Sequence, residues 1–151
     1  MLIGVDWGGT KIEIVAMEAD GTELVREREL TPRGDYKGCL RMVQELVERI
    51  EVTMGRSGPV GIGIPGSIDP ISGRGKGGSS TWINGMPIVE DLHRVLRRPL
   101  RIQNDADCFA ASEARDGAGK EYRVVFGVIL ASGAGAGIAI YQVAHHGPNN
   151  S

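Results

Sequence analysis

The residues of this chain best suited to chemistry begin at Asp6-Trp7-Gly8-Gly9-Thr10-Lys11, directly behind a short apolar run. Adjacent glycines let a backbone turn sharply, approach a ligand closely and aim N–H groups at it, which suits a phosphate. Thr10 adds a hydroxyl, Lys11 a cation, and Asp6 a carboxylate able to hold Mg²⁺ through water. An ordinary β-hairpin turn would use the same residues. A second polar step, Asn104-Asp105, follows a short apolar segment, at the place where an open α/β sheet presents groups to a ligand. An Asn-Asp pair before a helix is also a common cap. A third feature, Ser132-Gly133-Ala134-Gly135-Ala136-Gly137, follows a continuous apolar run.

The elements that must position these groups are legible from periodicity. Leu2–Asp6, Lys11–Glu18 and Glu23–Thr31 read as three strands, with Asp20-Gly21 turning the second into the third. Tyr36, Cys39, Leu40, Val43, Leu46, Val47 and Ile50 recur at offsets of three and four, which predicts an amphipathic helix over 35–54. Asp35 stands where an N-cap acid belongs and Gly55 where a C′ glycine belongs. Pro59–Ile64 is a short strand ending in Pro65-Gly66, and 67–86 reads as loop. Ile88–Arg97 is a helix, Leu100–Gln103 a strand and Asn104–Gly117 a helix. Val124–Leu130 is a strand, and another runs on to about Ala144. Three strands followed by alternating helix and strand predict a mixed sheet flanked by helices. The first glycine turn opens a strand and not a helix, so a dinucleotide-binding Rossmann unit fails its own context.

Composition narrows the classes. The 151 residues match about one domain, with 41% apolar and 24% charged residues. A net charge of −2 argues against nucleic-acid binding, and Arg94, Arg97, Arg98 and Arg101 read as a solvated face. Cys39 and Cys108 fall inside predicted helices and read as buried free thiols in a reducing compartment. The start of the chain runs straight into a strand, and Asp6 interrupts its apolar stretch. A soluble cytoplasmic protein without signal peptide or membrane partner is therefore expected. His145 and His146 point to opposite sides of an extended chain without accompanying ligands, so the tail reads as solvated. Glycine is abundant, 23 residues, clustered at 8–9, 55–66, 73–85 and 127–137.

Four segments in order resemble the ROK family of bacterial sugar kinases and repressors: Asp6-x-Gly8-Gly9-Thr10-Lys11, Gly61-Ile62-Gly63-Ile64-Pro65-Gly66, Asn104-Asp105-Ala106 with Glu113-Ala114, and the glycine-rich hairpin at 131–137. Ser80-Thr81-Trp82-Ile83-Asn84-Gly85 and Thr31-Pro32-Arg33 are most similar to the fructokinase or manno(fructo)kinase branch. The resemblance runs over the whole chain. It implies a ribonuclease H-like (actin-like ATPase) α/β fold, with 1–120 as the N-terminal lobe and 121–151 as the first hairpin of a second lobe that is largely absent. The activity implied is ATP- and Mg²⁺-dependent phosphorylation of a hexose hydroxyl, with Asp105 as general base. By the same resemblance Asp6, Gly8, Gly9, Thr10, Lys11, Ser132, Gly133 and Gly135 serve the ATP phosphates and Mg²⁺. Gly66, Ser67, Ser79, Asn104 and Asp105 serve the sugar, and no zinc site is expected in this chain.

The chain departs from that pattern at several places. Asp107 stands where related kinases usually carry Asn, and a carboxylate there raises the pKa of Asp105 if the two charges face each other. Ala131-Ser132-Gly133 replaces Gly-Thr-Gly, and Gly77-Gly78-Ser79 replaces Asn-Ala-Asn, removing two amides that would bond a sugar. A truncated or degenerate relative that folds without turnover is therefore the competing expectation. A ROK-type regulator is a weaker one, because those carry a helix-turn-helix ahead of the kinase-like part. The last hairpin leaves apolar strands with open edges, which predicts self-association through 122–144.

Overall fold

In the computed structural model, residues 1–130 and 133–147 are described. Ile3, Val5 and Trp7 alternate with more exposed neighbours, and the period of two lays them on one buried face of β1 (Leu2–Trp7). Ile12, Ile14 and Ala16 do the same on β2 (Lys11–Met17), which pairs antiparallel with β1 and with β3 (Glu23–Leu30). On the other side β4 (Val60–Ile64) and β7 (Leu100–Asn104) add parallel strands, giving the order β3-β2-β1-β4-β7. Three parallel strands thus end on one edge, at Trp7, Ile64 and Asn104.

Helix α1 (Tyr36–Met54) covers the buried face, with Cys39, Val43, Leu46, Val47 and Ile50 fully buried. Each such side chain contributes about 1.5–3 kcal/mol by leaving water. Its ends follow the sequence expectation: the Asp35 carboxylate accepts the Gly38 N–H at 2.8 Å, and Gly55 closes the helix at φ 64°. Tyr36 donates its hydroxyl to the buried Asp91 carboxylate at 2.8 Å, tying α1 to α2 (Ile88–Leu96).

The far face of the sheet carries glycine at 61 and 63, and α3 (Asp105–Arg115) lies over it, so that a Cβ on Gly63 would stand 3.7 Å from Asp105 Cα. The opposite side of α3 rests on a second sheet, ordered β10-β9-β8, from β8 (Val124–Leu130), β9 (Ala134–Ile140) and β10 (Val143–Ala144). That contact is close because Gly127, Gly135 and Gly137 face Ala110 and Ala106. Glycine serves here as room for a helix.

Two readings of the sequence need correction. The segment 67–86 is not all loop: β5 (Ser67–Ile68) and β6 (Gly75–Lys76) pair, and Thr81–Ile83 forms a 3₁₀ turn. Two-residue strands leave no periodicity to detect. The last apolar strand is also broken, because Tyr141 and Gln142 both take positive φ, at 50° and 66°, and make a hairpin turn without glycine.

Candidate active site

The first glycine turn is held at both ends. Gly8 donates its N–H to the Lys11 carbonyl at 3.0 Å, and a Cβ on Gly8 would lie 2.7 Å from that oxygen. Thr31 is buried; it donates its hydroxyl to the Gly8 carbonyl at 2.7 Å and its N–H to the Thr10 carbonyl at 2.9 Å. A Cβ on Gly9 would stand 2.8 Å from Ser80 Oγ, a buried hydroxyl with no partner among the described residues. The turn is thus pressed between β3's end and the 3₁₀ segment, while Thr10 and Lys11 stay exposed. Thr31 appeared in the sequence only as part of a Thr-Pro step, and Ser80 only beside Trp82. Their support of the turn is a long-range contact that no local pattern encodes.

Asn104 and Asp105 sit at the C-terminal edge of β7, and the cap reading of the pair holds. Asn104 caps α3, its Oδ1 accepting the Asp107 N–H at 3.1 Å. Its amide donates to the Gly66 carbonyl at 2.8 Å and to Asp105 Oδ1 at 3.0 Å. Asp105 Oδ1 also accepts the Ala106 N–H at 2.8 Å. Burial raises the Asp105 carboxyl above its ordinary value, with the Asp107 charge adding and the hydrogen bonds opposing. Asp6 belongs to the same field. Crowding of its carboxyl by protein raises it first, then the charges of Asp105 and Glu13, while Arg28 opposes. The end of β1 and the start of α3 therefore bring two carboxylates together above the parallel strand ends.

Gly66 and Gly78 cross at close range: a Cβ on Gly66, at φ 95°, would lie 2.6 Å from Gly78 N and Cα. Asn84 holds this crossing, accepting the Gly78 N–H at 3.0 Å and donating to its carbonyl at 3.1 Å. Glycine at 78 is thus a packing requirement, whatever it costs in amide contacts. Ser67 opens β5 just beyond, Ser79 is exposed, and a Cβ on Gly133 would approach Ser79 Cβ at 3.9 Å. Gly135 faces Ala106 Cβ, where an added Cβ would stand 3.3 Å away. Ala131 and Ser132 lie outside the described residues. The turn at 8–10, the serines at 79–80, Asn104-Asp105 and Gly133 accordingly border one region.

Two further expectations are revised by the geometry. Cys39 is buried as expected, but Cys108 is exposed, because α3 buries its Ala106, Ala110 and Ala114 side. The Cys108 sulfur nonetheless sits near the sheet, and desolvation, with Asp107, Asp105 and Asp6 adding charge, pushes its thiol up to about 11. Trp82 packs against the main core. His146 is not a solvated tail residue: its Nδ1 lies 3.3 Å from Asp107 Oδ2 and its ring contacts the Gln103 amide. Among the described residues, no group of three or more His, Cys, Asp or Glu is arranged to hold a metal ion. None of their helices is long and apolar enough to cross a membrane.

Known proteins share this arrangement. The chain is 37% identical over 147 residues to an N-acetyl-D-glucosamine kinase of Haemophilus influenzae, covering 97% of this chain and 48% of that protein. It is 39% identical over 140 residues to an N-acetyl-D-glucosamine kinase of Yersinia pestis, covering 93% and 55%. The chain thus spans about half the length of the curated relatives it matches. The crystal structure of a ROK family glucokinase from Streptomyces griseus, in complex with glucose and AMPPNP, superposes with a TM-score of 0.88. It is 27% identical, and the match covers 99% of this chain and 47% of that one. These relatives are sugar kinases but not fructokinases, so the fructokinase expectation contracts to the coarser one. The ROK family description itself matches residues 2–151. This chain, with its glycine turn, its Asn-Asp step and its α3 between two sheets, belongs to the ROK family.

Proposed function

We propose that this chain is the N-terminal lobe, residues 1–120, and opening hairpin, residues 121–151, of an ATP-dependent hexose kinase with Asp105 as general base. The observation that carries this reading is the shared edge. Asp6 lies opposite Gly63, where a Cβ would stand 3.7 Å from Asp105 Cα, the Asp105 charge helps to raise the Asp6 carboxyl, and the turn that follows Asp6 offers a backbone cradle next to Ser80. Phosphoryl transfer asks for an aligned hydroxyl, an acceptor for its proton and charge stabilisation at the phosphates, with little covalent help. Asp105 takes the sugar hydroxyl proton, and its raised pKa suits a base that must bind a proton during transfer. Gly66, Ser67, Ser79 and Asn104 border the sugar. Gly8, Gly9, Thr10 and the Lys11 ammonium serve the ATP phosphates, with the Gly9 and Thr10 N–H groups as donors while that of Gly8 is held by the Lys11 carbonyl, and Ser132, Gly133 and Gly135 are assigned to the same phosphates.

Mg²⁺ fits as an ion shared between phosphates and protein, since Asp6 alone offers a carboxylate at the turn. The ion supplies charge neutralisation at the phosphates when bound. The test is ADP release from Mg²⁺-ATP by this chain across N-acetylglucosamine, glucose, mannose and fructose. Sugar-dependent release names the substrate, and no release with any sugar means an incomplete or degenerate lobe and reduces the functional claim to ancestry. The second reading, a folded domain without turnover, is favoured by Gly77-Gly78-Ser79, whose Gly78 is committed to the Gly66 crossing.

Self-association belongs to the same proposal. One face of the β8–β9 hairpin rests on α3, while the other presents Val124, Phe126, Val128 and Leu130, with Phe126 65% and Leu130 82% exposed. A second copy laid on this face would remove those side chains from water, at about 25 cal/mol per Å² of apolar area. Sedimentation velocity is expected to show concentration-dependent association that Phe126→Ser weakens. A monomer at all concentrations contradicts it.

A further inference from the structure

The first turn of α3 is gripped from outside by the segment that follows β10. The His145 N–H donates to the Ile138 carbonyl at 2.7 Å, which keeps that segment beside β9. His146 then reaches across to Asp107, its Nδ1 3.3 Å from Oδ2. Gln103 Nε2 lies 3.0 Å from the same Asp107 oxygen and 3.0 Å from His146 Nε2. Gln103 Nε2 also lies 3.1 Å from His146 Nδ1, so the amide sits against both ring nitrogens. With the proton on Nδ1, His146 donates to Asp107 and Nε2 is the ring nitrogen that accepts from Gln103. Asp107 is only 15% exposed in its side chain, so this ring is sheltered on one side.

The ring matters for where it sits. Gln103 immediately precedes Asn104 on β7, and the Asp107 N–H is the one that Asn104 caps. Asp105 lies between, so Gln103 and Asp107, flanking the Asn104-Asp105 step, are fastened to each other and, through His146, to the segment that follows β10. A carboxylate at 107 gives the imidazole N–H a strong acceptor.

We infer that His146 is a positioning residue, acting through Asp107 to fix the turn that aims Asp105. As a statement about a catalytic base, this rests on the kinase reading above. As a statement about the turn, it does not. A carboxylate whose aim is set by neighbouring hydrogen bonds loses rate steeply when the geometry slips.

The test uses the whole chain with ¹³C-labelled aspartate, comparing wild type with His146→Ala, His146→Gln, Asp107→Ala and the double alanine variant. Amide exchange at Asp107 and the Asp105 carboxyl resonance are read together, and neither requires turnover. Exchange at Asp107 is expected to rise about fivefold in His146→Ala, the size of effect of one lost side-chain hydrogen bond. The Asp105 resonance is expected to move in both single alanine variants, with the double variant adding nothing. Glutamine at 146 retains a donor and an acceptor and is expected to restore both signals. An unmoved Asp105 resonance in His146→Ala, or a His146→Gln variant indistinguishable from alanine, overturns the inference. Failure of sugar-dependent ADP release with these signals as expected reduces the kinase reading to ancestry and leaves the turn held by His146.

Discussion

Asp105→Asn is expected to lower sugar-dependent ADP release by a factor on the order of 10²–10⁴, the range supplied by a positioned general base. Asparagine keeps an oxygen for the Ala106 N–H, so the start of α3 is preserved. What disappears is the capacity to accept a proton. The stability consequence has the opposite sense to that of an ordinary structural carboxylate. The folded-state pKa is raised above its ordinary 3.8, chiefly by burial. Between the ordinary value and the raised one, the folded chain binds more proton than the unfolded one, so stability falls as pH rises through that window. At neutral pH the ionised carboxylate is therefore a cost of the fold. The asparagine variant is expected to melt no lower than wild type while losing its activity, the pattern of a group kept for chemistry. The acid limb of the activity profile is expected above the ordinary aspartate value, and to move lower in Asp107→Asn, because the Asp107 charge contributes to the rise. A variant that retains turnover, or that loses activity only by unfolding, defeats the assignment of Asp105.

The second large effect is expected from Gly137→Ala. A Cβ at this position meets the Ala106 carbonyl group, lying 2.7 Å from its carbon and 2.8 Å from Asp107 Cα. Those atoms are helix backbone and cannot rotate aside, so α3 or β9 must move. Overpacking of this kind costs about 1–3 kcal/mol. The displaced carbonyl belongs to the residue next to Asp105, so a small shift of α3 also misdirects the base. Loss of roughly 10²-fold in turnover is expected beyond any loss of folded protein, in line with the sensitivity of reactions to misplacement by about an ångström. Thermal melting and ADP release measured on the same sample separate the two effects. A variant with unchanged melting temperature would mean that the helix–strand contact is looser than the structure places it.

Much of the fold was legible because the elements of the first sheet are strongly periodic. The burial alternation of β1 and β2 and the three-and-four spacing in α1 are local signals, and their ends carry the caps that local chemistry demands, Asp35 and Gly55. The parallel addition of β4 and β7 followed from the alternation of strand and helix. The 3₁₀ turn and the β5–β6 pair were not legible, since two or three residues are too few to show a period. Nor was the break at Tyr141-Gln142, where non-glycine residues take a conformation that usually announces itself through glycine.

By itself the sequence determined the sheet order's raw material, the family, and the residues that offer chemistry: the Asp6–Lys11 turn, Asn104-Asp105 and the glycine-rich hairpin. These are properties of residue type and short spacing. Only the tertiary structure decided what those residues touch. It put Thr31 and Ser80 against the glycine turn, committed Gly78 to the Gly66 crossing and turned Gly135 and Gly137 toward α3. It also brought His146 to Asp107 across 39 positions, read as 146 − 107. Contacts of that kind arise when strands far apart in the chain pair and stack. Their partners are set by the geometry of two sheets closing on one helix, which no window of neighbouring residues contains.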